Sequence, residues 1–246
     1  MELEQALFTS TRSQKLSGYH VVARSAGVDE TLAQALCRWC PSHDAMLSRK
    51  SNAFSINFFP LDEDRFGISR TVLGGPEYSG RGGLQTVTMV LIATRSQLAG
   101  YANDPISLLE TARTCGYLSF VRSQPFHERA VLPDRYALLP RLKGRLSREA
   151  FVSDSTKSLL ADKSITLVDA PIARRAVQSV LHAMPMEKRL EISFTTGLKP
   201  SSQRPFRIHH VFRPGIDIRA YFTRNGVSLV PVMRQHQNAA LATTSY

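Results

Sequence analysis

The sequence predicts an α+β fold: a mixed or antiparallel sheet with a few packing helices, organised as one domain or as two α+β subdomains. Three observations lead to this prediction. Two short strands open the chain, hairpin signals join later apolar segments, and amphipathic helices with recognisable caps lie among the strands. With 246 residues, of which 43% are hydrophobic, the chain is long enough to bury a sizeable core.

The first half is predicted to contain two strand pairs, a central strand and two helices. Phe8 is followed by the hydroxyl residues Thr9, Ser10 and Thr11, which is typical of a half-buried strand. Asp29 suits a helix N-cap, Pro41 stops that helix, and Pro105 fits the first position of the next one. In order, we expect two strands within residues 7–27, a helix over 29–39, a hairpin of strands 53–59 and 65–73, a loop over 74–83, a central strand over 84–94, and a helix over 106–115.

In the second half of the chain, the predicted helices and strands follow one another less regularly. Residues 147–160 are weakly helical, and 171–184 form an amphipathic helix with Ile172, Ala176 and Val180 on one face. Asn225-Gly226 is typical of a hairpin turn. The strands expected here cover residues 164–168, 190–195, 206–212, 216–222 and 227–232.

These patterns divide the chain into four parts. We expect an N-terminal α+β domain over residues 1–123 and a connector over 124–146, which is rich in Pro, Arg and Leu. A second, basic α+β subdomain covers 147–234, and a polar, frayed tail covers 235–246.

Composition favours a cytoplasmic protein. The longest apolar run, residues 87–93, is too short to cross a bilayer, so no membrane association is expected. Glu2 and Glu4 stand where a signal peptide would carry basic residues. Three cysteines do not make a disulfide framework.

The net charge of +11 is concentrated in the second half. Residues 1–125 hold 12 Lys/Arg against 11 Asp/Glu, whereas residues 126–246 hold 19 against 9. Such an excess attracts phosphate backbones, anionic lipid or an acidic protein partner, and it does not choose among them.

The segment Cys37–His43 has the spacing of a partial metal site. Cys37, Cys40 and His43 supply three ligand types for zinc, but a closed structural site needs a fourth ligand. The two thiols stand at the predicted C-terminal end of a helix, where the helix dipole does not activate them. We therefore expect small apolar residues that pack the helix end, with no metal and no cofactor.

The glycine-rich loop is better suited to a partner than to a phosphate. Successive glycine amides can form an anion nest, but a nucleotide-binding loop follows a strand and opens a helix. This loop leads into a strand instead. We expect partner contacts from Tyr78, Gly80, Arg81, Gly82 and Gly83.

The sequence offers little support for catalysis, so we expect no enzyme and no catalytic residues. His209 and His210 lie in a predicted strand and point to opposite faces, so they cannot share a metal. A hydrolase that acts through His20 or His43 with a nearby hydroxyl or thiol stays open, because only a structure can bring distant side chains together.

Four arginines of the basic half stand beside aromatic residues. Arg204, Arg207, Arg219 and Arg224 would form a stacking and phosphate platform for nucleic acid, or the arginines face water while the aromatics face the core. The same four residues are candidate contacts for a protein partner.

The opening segment resembles the type-two N-terminal domain of bacterial GTPase-associated protein one. In that family a hydroxyl-rich strand precedes a Gly-aromatic step and a strand that ends in Ser-Pro-Gly; Ala26 replaces the proline here. Two further segments are similar. Gly80-Arg81-Gly82-Gly83 resembles a Gly-Arg-Pro-Gly turn, with Gly82 in place of the proline and without the histidine that the family places in the following strand. Residues 192–196 resemble a short Ser-Phe-Ser/Thr-Thr strand. The opening residues that carry the resemblance are Leu7-Phe8-Thr9-Ser10-Thr11 and Leu16-Ser17-Gly18-Tyr19-His20-Val21-Val22-Ala23-Arg24-Ser25-Ala26-Gly27.

The resemblance implies a non-enzymatic adaptor that acts beside a GTPase in bacterial multi-gene systems of the conflict or defence type. It implies no catalytic or cofactor-binding residues. The alternatives are a basic nucleic-acid-binding protein that uses its C-terminal half and a hydrolase of a class without a visible motif. The oligomeric state is left open.

Overall fold

One mixed sheet runs through most of the protein. The computed structural model describes residues 1–12, 17–76, 83–119, 126–134 and 150–232. Within these ranges the strands are β1 Glu2–Arg12, β2 Ser17–Arg24, β3 Phe54–Pro60, β4 Arg65–Pro76, β5 Leu84–Thr94, β6 Ala130–Val131, β7 Ile165–Val168, β8 Phe194–Thr195, β9 Ile208–Val211 and β10 Ser228–Pro231.

The helices lie on both faces of this sheet. They are α1 Glu30–Trp39, α2 Arg95–Ala99, α3 Pro105–Thr114, α4 Ala150–Leu160, α5 Ala173–His182 and α6 Ile216–Arg224, and a 3-10 helix spans Met186–Glu191. No helix of the described ranges has both the length and the apolar character needed to span a membrane.

The strand order is β10-β7-β9-β8-β3-β4-β5-β1-β2, and β6 pairs with the beginning of β1. The strands of the first half are antiparallel to one another, whereas β10, β7, β9 and β8 are parallel. The two parts join where β3 runs antiparallel to β8, with Asn57 opposite Thr195 and Phe58 opposite Phe194. The predicted α+β class is therefore confirmed.

Each face of the sheet buries its own apolar cluster. The larger cluster lies under α3, α4 and α5 and includes Phe58, Leu91 and Val177. The smaller one lies under α1 and includes Phe8 and Leu36. Side chains alternate between the faces along each strand, so one strand serves both clusters with different residues, as β5 does with Leu91 in the larger cluster and Val90 in the smaller one.

Capping residues and hydrophobic patterns predicted most helices and strands of the first half correctly. The Asp29 carboxylate accepts a hydrogen bond from the Leu32 amide at 2.7 Å, as its N-cap position predicts. β5 lies between β4 and β1 with its residues buried on both faces, as expected for a central strand. Asp104 caps α3, and Pro105 occupies its first turn.

The prediction of a strand over residues 216–222 was wrong, because this segment is helix α6. Only Phe222 is buried on it, and the run of apolar residues fits a helix that covers the sheet as well as it fits a strand. Asn225-Gly226 is consequently no hairpin turn. The Asn225 amide donates to the Tyr221 carbonyl and Gly226 has φ +68°, so the pair ends the helix.

Other parts of the structure also differ from the prediction. Residues 186–191 form a 3-10 helix, which leaves only Phe194–Thr195 as a strand in place of 190–195. β4 continues to Pro76, which pairs with Leu84 after an irregularity, so Gly74 and Gly75 belong to the strand instead of the loop. Helix α2 went unpredicted, although Thr94 and Gln97 form a capping box.

Parts of the predicted organisation lie outside the described residues: most of the 124–146 connector, the start of the 147–160 helix, and the 235–246 tail. Within the connector range, β6 pairs Ala130 and Val131 with Leu3 and Glu2. The division into residues 1–123 and 147–234 stays a prediction.

Candidate protein-interaction surface

The carboxyl ends of the four parallel strands meet at one edge of the sheet. We call it the carboxyl edge. Because β3 runs antiparallel to β8, its first residue, Phe54, lies at this edge, and Gly197 lies next to the Phe54 backbone. β4 ends here at Pro76 and β5 begins here at Leu84. The opposite edge holds the amino ends of the parallel strands.

The chain leaves two neighbouring parallel strands in opposite directions. From β7 it passes through α5 to β8, and from β9 it passes through α6 to β10. Helix α5 shares a core with Ile208, whereas Phe222 of α6 packs on His209, which points to the other face. The loops that follow β7 and β9 therefore begin side by side at the carboxyl edge and continue on opposite faces of the sheet.

A short hydrogen-bond network fixes the two loops that leave these strands. The Asp169 carboxylate accepts from the Arg213 amide at 2.7 Å, and the Asp169 amide donates to the Val211 carbonyl at 3.1 Å. Asp169 and Arg213 both have positive φ, at 62° and 49°. The Arg213 guanidinium lies 5.2 Å from the centre of the Phe212 ring. The loops are therefore held by specific contacts.

His210 lies buried beneath this network. Its Nε2 atom is 3.0 Å from the Ala170 carbonyl oxygen and its Nδ1 atom is 3.3 Å from that of Thr196. Burial lowers the pKa of His210, and this outweighs the two carbonyls, which raise it. The neutral ring donates to only one of the two carbonyls, so His210 bonds β9 to the segment after either β7 or β8 and adds no charge.

Exposed apolar side chains are concentrated on the carboxyl edge. Phe54, Ile172, Phe212 and Ile216 lie there, and Ile216 is 86% exposed. The other large apolar side chains that are exposed in the described ranges, Val131, Leu160 and Met186, lie elsewhere. Grouped exposed apolar residues mark interaction sites more often than scattered ones do.

Of the predicted loop contacts, the structure describes only Gly83. It lies at the carboxyl edge in a shallow depression with Asp44, Met46, Arg49, Leu73 and Leu84. Arg49 and Lys199 donate to the Asp44 carboxylate, and these bonds lower the pKa of Asp44. Tyr78, Gly80, Arg81 and Gly82 lie outside the described residues.

The four predicted arginines differ in their surroundings. Arg204 is partly buried, and burial lowers its pKa. Arg207 bonds Asp162 at 2.8 Å and the Leu159 carbonyl at 3.1 Å, which ties the end of α4 to β9 near the opposite edge. Arg219 and Arg224 are exposed on α6, and their Nε atoms donate to the carbonyls of Pro214 and Ala220.

Of the cysteine segment, Cys40 packs at the end of α1, as its sequence indicated, whereas Cys37 is exposed. Cys40 is fully buried, and burial raises the pKa of its thiol and, to a smaller degree, that of Cys37. The His43 ring stacks on Tyr19 at 6.3 Å. In the described ranges no three His, Cys, Asp or Glu side chains are grouped as metal ligands. His209 and His210 are adjacent in β9 and contact different partners, as predicted.

The structure also places two histidines beside hydroxyls. His20 Nε2 lies 3.2 Å from Thr11 Oγ1, while its Nδ1 faces the Gly18 carbonyl, and no carboxylate among the described residues orients the ring. Elsewhere, Ser107 Oγ donates to Asp104 at 2.5 Å and His182 contacts the same carboxylate oxygen at 2.7 Å. A serine nucleophile needs its hydroxyl bonded to the histidine that acts as the base, whereas the Ser107 hydroxyl is bonded to the Asp104 carboxylate. This cluster joins helices α3 and α5.

Sequence reasoning missed Asp169, Phe212 and Ile216. The last two were assigned to strands, where alternation would have buried part of each run. The run Arg213-Pro214-Gly215 between them is a turn signal that could have separated strand from helix.

The fold and this surface define a class of protein: an open α+β sheet with an exposed apolar edge beside basic side chains. A family model described as "GTPase-associated protein 1, N-terminal domain type 2" matches residues 2–134. The chain therefore belongs to this GTPase-associated family, as its opening strands indicated. No curated protein and no solved structure matches the chain.

Proposed function

We propose that this protein is a non-enzymatic adaptor that binds a GTPase encoded beside it in a bacterial multi-gene system of the conflict or defence type. Membership of a GTPase-associated family, over β1 to β6, is the observation that carries this proposal. Cys37, Cys40 and Cys115 are free thiols, which suits a reducing compartment, and we place the adaptor in the cytoplasm.

The chemistry of the described residues supports binding over catalysis. Burial raises the pKa of both thiols of α1, which disfavours the reactive thiolate. The hydroxyls nearest to His20 and His182 lack the arrangement of an activated nucleophile. A rigid sheet that presents loops along one edge is instead typical of a recognition scaffold.

Calorimetry tests the proposal. The full chain is titrated into the GTPase of the neighbouring gene, loaded in turn with GDP and with a non-hydrolysable GTP analogue. We expect saturable one-to-one binding in at least one nucleotide state, and no GTP hydrolysis by the chain alone. Absence of binding in both states would contradict the adaptor role.

Nucleic acid is the alternative partner, and salt separates it from a protein. Fluorescence anisotropy with single-stranded and duplex DNA is measured between about 50 and about 300 mM salt. Phosphate neutralisation makes such affinity fall by orders of magnitude over this range. Tight and steeply salt-dependent DNA binding, without GTPase binding, would favour the alternative.

A further inference from the structure

Two exposed apolar side chains stand on one loop of the carboxyl edge. Phe212 is 56% exposed and Ile216 is 86% exposed, and they flank the turn from β9 into α6. We propose that residues 212–216, which we call the β9–α6 loop, are the docking surface for the protein partner, and that the partner offers an apolar pocket rimmed by acidic side chains. This inference rests on the proposed function and names the surface that performs it.

The β9–α6 loop is pre-organised for docking. The Asp169 carboxylate holds the Arg213 amide at 2.7 Å, and the Arg213 guanidinium covers one side of the Phe212 ring. The Arg219 amide donates to the Gly215 carbonyl at 3.1 Å, which starts α6 directly after the turn. A segment that is already ordered loses less conformational entropy on binding, so its exposed side chains contribute more to affinity.

The charge around the loop selects the chemistry of the partner. Arg213 and Arg219 are exposed beside Phe212 and Ile216, and Arg175 is exposed in the first turn of α5, which begins at the same edge. Among the described residues of 150–232, Asp169 and Asp217 are the acidic groups beside the loop, and Asp169 already accepts the Arg213 amide. Over residues 150–232 the chain carries twelve Lys/Arg against six Asp/Glu. An acidic rim on the partner complements this excess of positive charge and speeds association.

The same observations disfavour the other occupants of this surface. A second copy of the chain would bring a like-charged surface against this one, which is unfavourable. Proteins bind phosphate backbones mainly through cationic and polar groups, so binding to nucleic acid does not explain why an isoleucine and a phenylalanine are exposed together. An apolar pocket with an acidic rim accounts for both the apolar and the basic side chains.

The test uses the full chain and the neighbouring GTPase in the nucleotide state that the wild type binds best. The double variant F212S/I216S is expected to weaken binding by at least tenfold, and Arg219→Glu by several-fold. The control variants Leu160→Ser and Lys163→Glu change an exposed apolar and an exposed basic residue near the opposite edge. They are expected to keep wild-type affinity, and unfolding midpoints confirm that all four variants fold.

Each outcome decides the inference. Loss of binding in F212S/I216S but not in Leu160→Ser supports the β9–α6 loop as the docking surface. Wild-type affinity in F212S/I216S overturns the surface while the adaptor function stands. If the wild type binds the GTPase in no nucleotide state, the proposed function and this surface fall together. Stronger binding by Arg219→Glu would overturn the acidic rim alone.

Discussion

The His182 imidazole at the end of α5 lies 2.7 Å from the Oδ2 atom of Asp104, the residue that caps α3. Gln178 also donates to Oδ2 at 2.7 Å, and the Ile106 and Ser107 amides donate to Oδ1. One buried carboxylate therefore serves both as a helix cap and as the link between two helices 70 to 80 residues apart in the chain.

Removal of this carboxylate should destabilise the protein strongly. We expect Asp104→Ala to lower the free energy of unfolding by about 3 kcal/mol, because it removes a cap and leaves several buried donors without an acceptor. Urea denaturation measures the loss. Asp29→Ala is the matched control: this exposed N-cap accepts only the Leu32 amide through its side chain, so about 1 kcal/mol is expected. Equal losses would contradict the linking role of Asp104.

Acid should destabilise the protein through His209. Burial and, to a smaller degree, the charge of Arg204 lower the pKa of His209 to about 4, so the folded state keeps the ring neutral. The unfolded chain takes up a proton below pH about 6.5. The stability that the neutral ring provides is complete above that pH and declines by up to about 3 kcal/mol as the pH falls to about 4.

The variant His209→Phe isolates this effect. The ring of His209 packs between Phe206 and Phe222, at 5.9 and 5.1 Å, so a phenyl group fits the same place and leaves no buried nitrogen without a partner. Urea titrations at several pH values should show a shallower loss of stability for His209→Phe than for the wild type. His43→Phe replaces an exposed ring and should follow the wild type. A wild-type slope in His209→Phe would refute the assignment.

A buried amide holds the two parts of the sheet together. Asn57 of β3 accepts from Ser55 and Thr195 and donates to Ser69 and Thr71, so its four bonds span β8, β3 and β4. Asn57→Ala should cost about 3 kcal/mol in urea denaturation, since it leaves four buried hydroxyls short of a partner. Thr88→Val removes only the bond to Thr71 and should cost about 1 kcal/mol. The reverse order would show that Asn57 is not the centre of this network.

Trp39 reports on the contact between the first and second halves of the chain. It is the single tryptophan, and its ring lies 5.3 Å from Phe59 and 5.2 Å from Phe206. Phe206→Ala should destabilise the protein by about 3 kcal/mol or more and shift the Trp39 emission to longer wavelength, because water replaces the lost ring. Phe222→Ala removes an equally buried ring that contacts His209 instead, and it should destabilise without that shift.

Much of the fold followed from local patterns. Asp29 and Asp104 mark helix starts because the capping bond is made within three residues. The apolar run of β5 indicates a strand with both faces covered, and the structure places it there. The prediction of a strand over residues 216–222 was wrong because Ile216, Ile218 and Phe222 satisfy a strand pattern. In the structure these residues form a helix, from which Phe222 packs on His209.

The candidate surface was only partly predictable. Gly83 and Arg219 were predicted as contact residues. Gly83 lies at the carboxyl edge, and Arg219 lies on α6. Arg207 was singled out as well, but its guanidinium bonds Asp162 and backbone carbonyls. Whether an arginine faces a partner or its own chain depends on residues that are distant in sequence.

The α+β class and most elements of the first half could be predicted from local patterns, because propensity, capping and alternation act over a few residues. The kinship with the GTPase-associated family could be predicted from short motifs. The folded chain was needed to establish that β8 joins β3, that β7 and β9 send their connections in opposite directions, and that Phe212 and Ile216 remain exposed. Strand order and exposure arise from contacts such as Asn57 with Thr195, which lie 138 residues apart. No local sequence pattern identifies a contacting residue that lies so far along the chain.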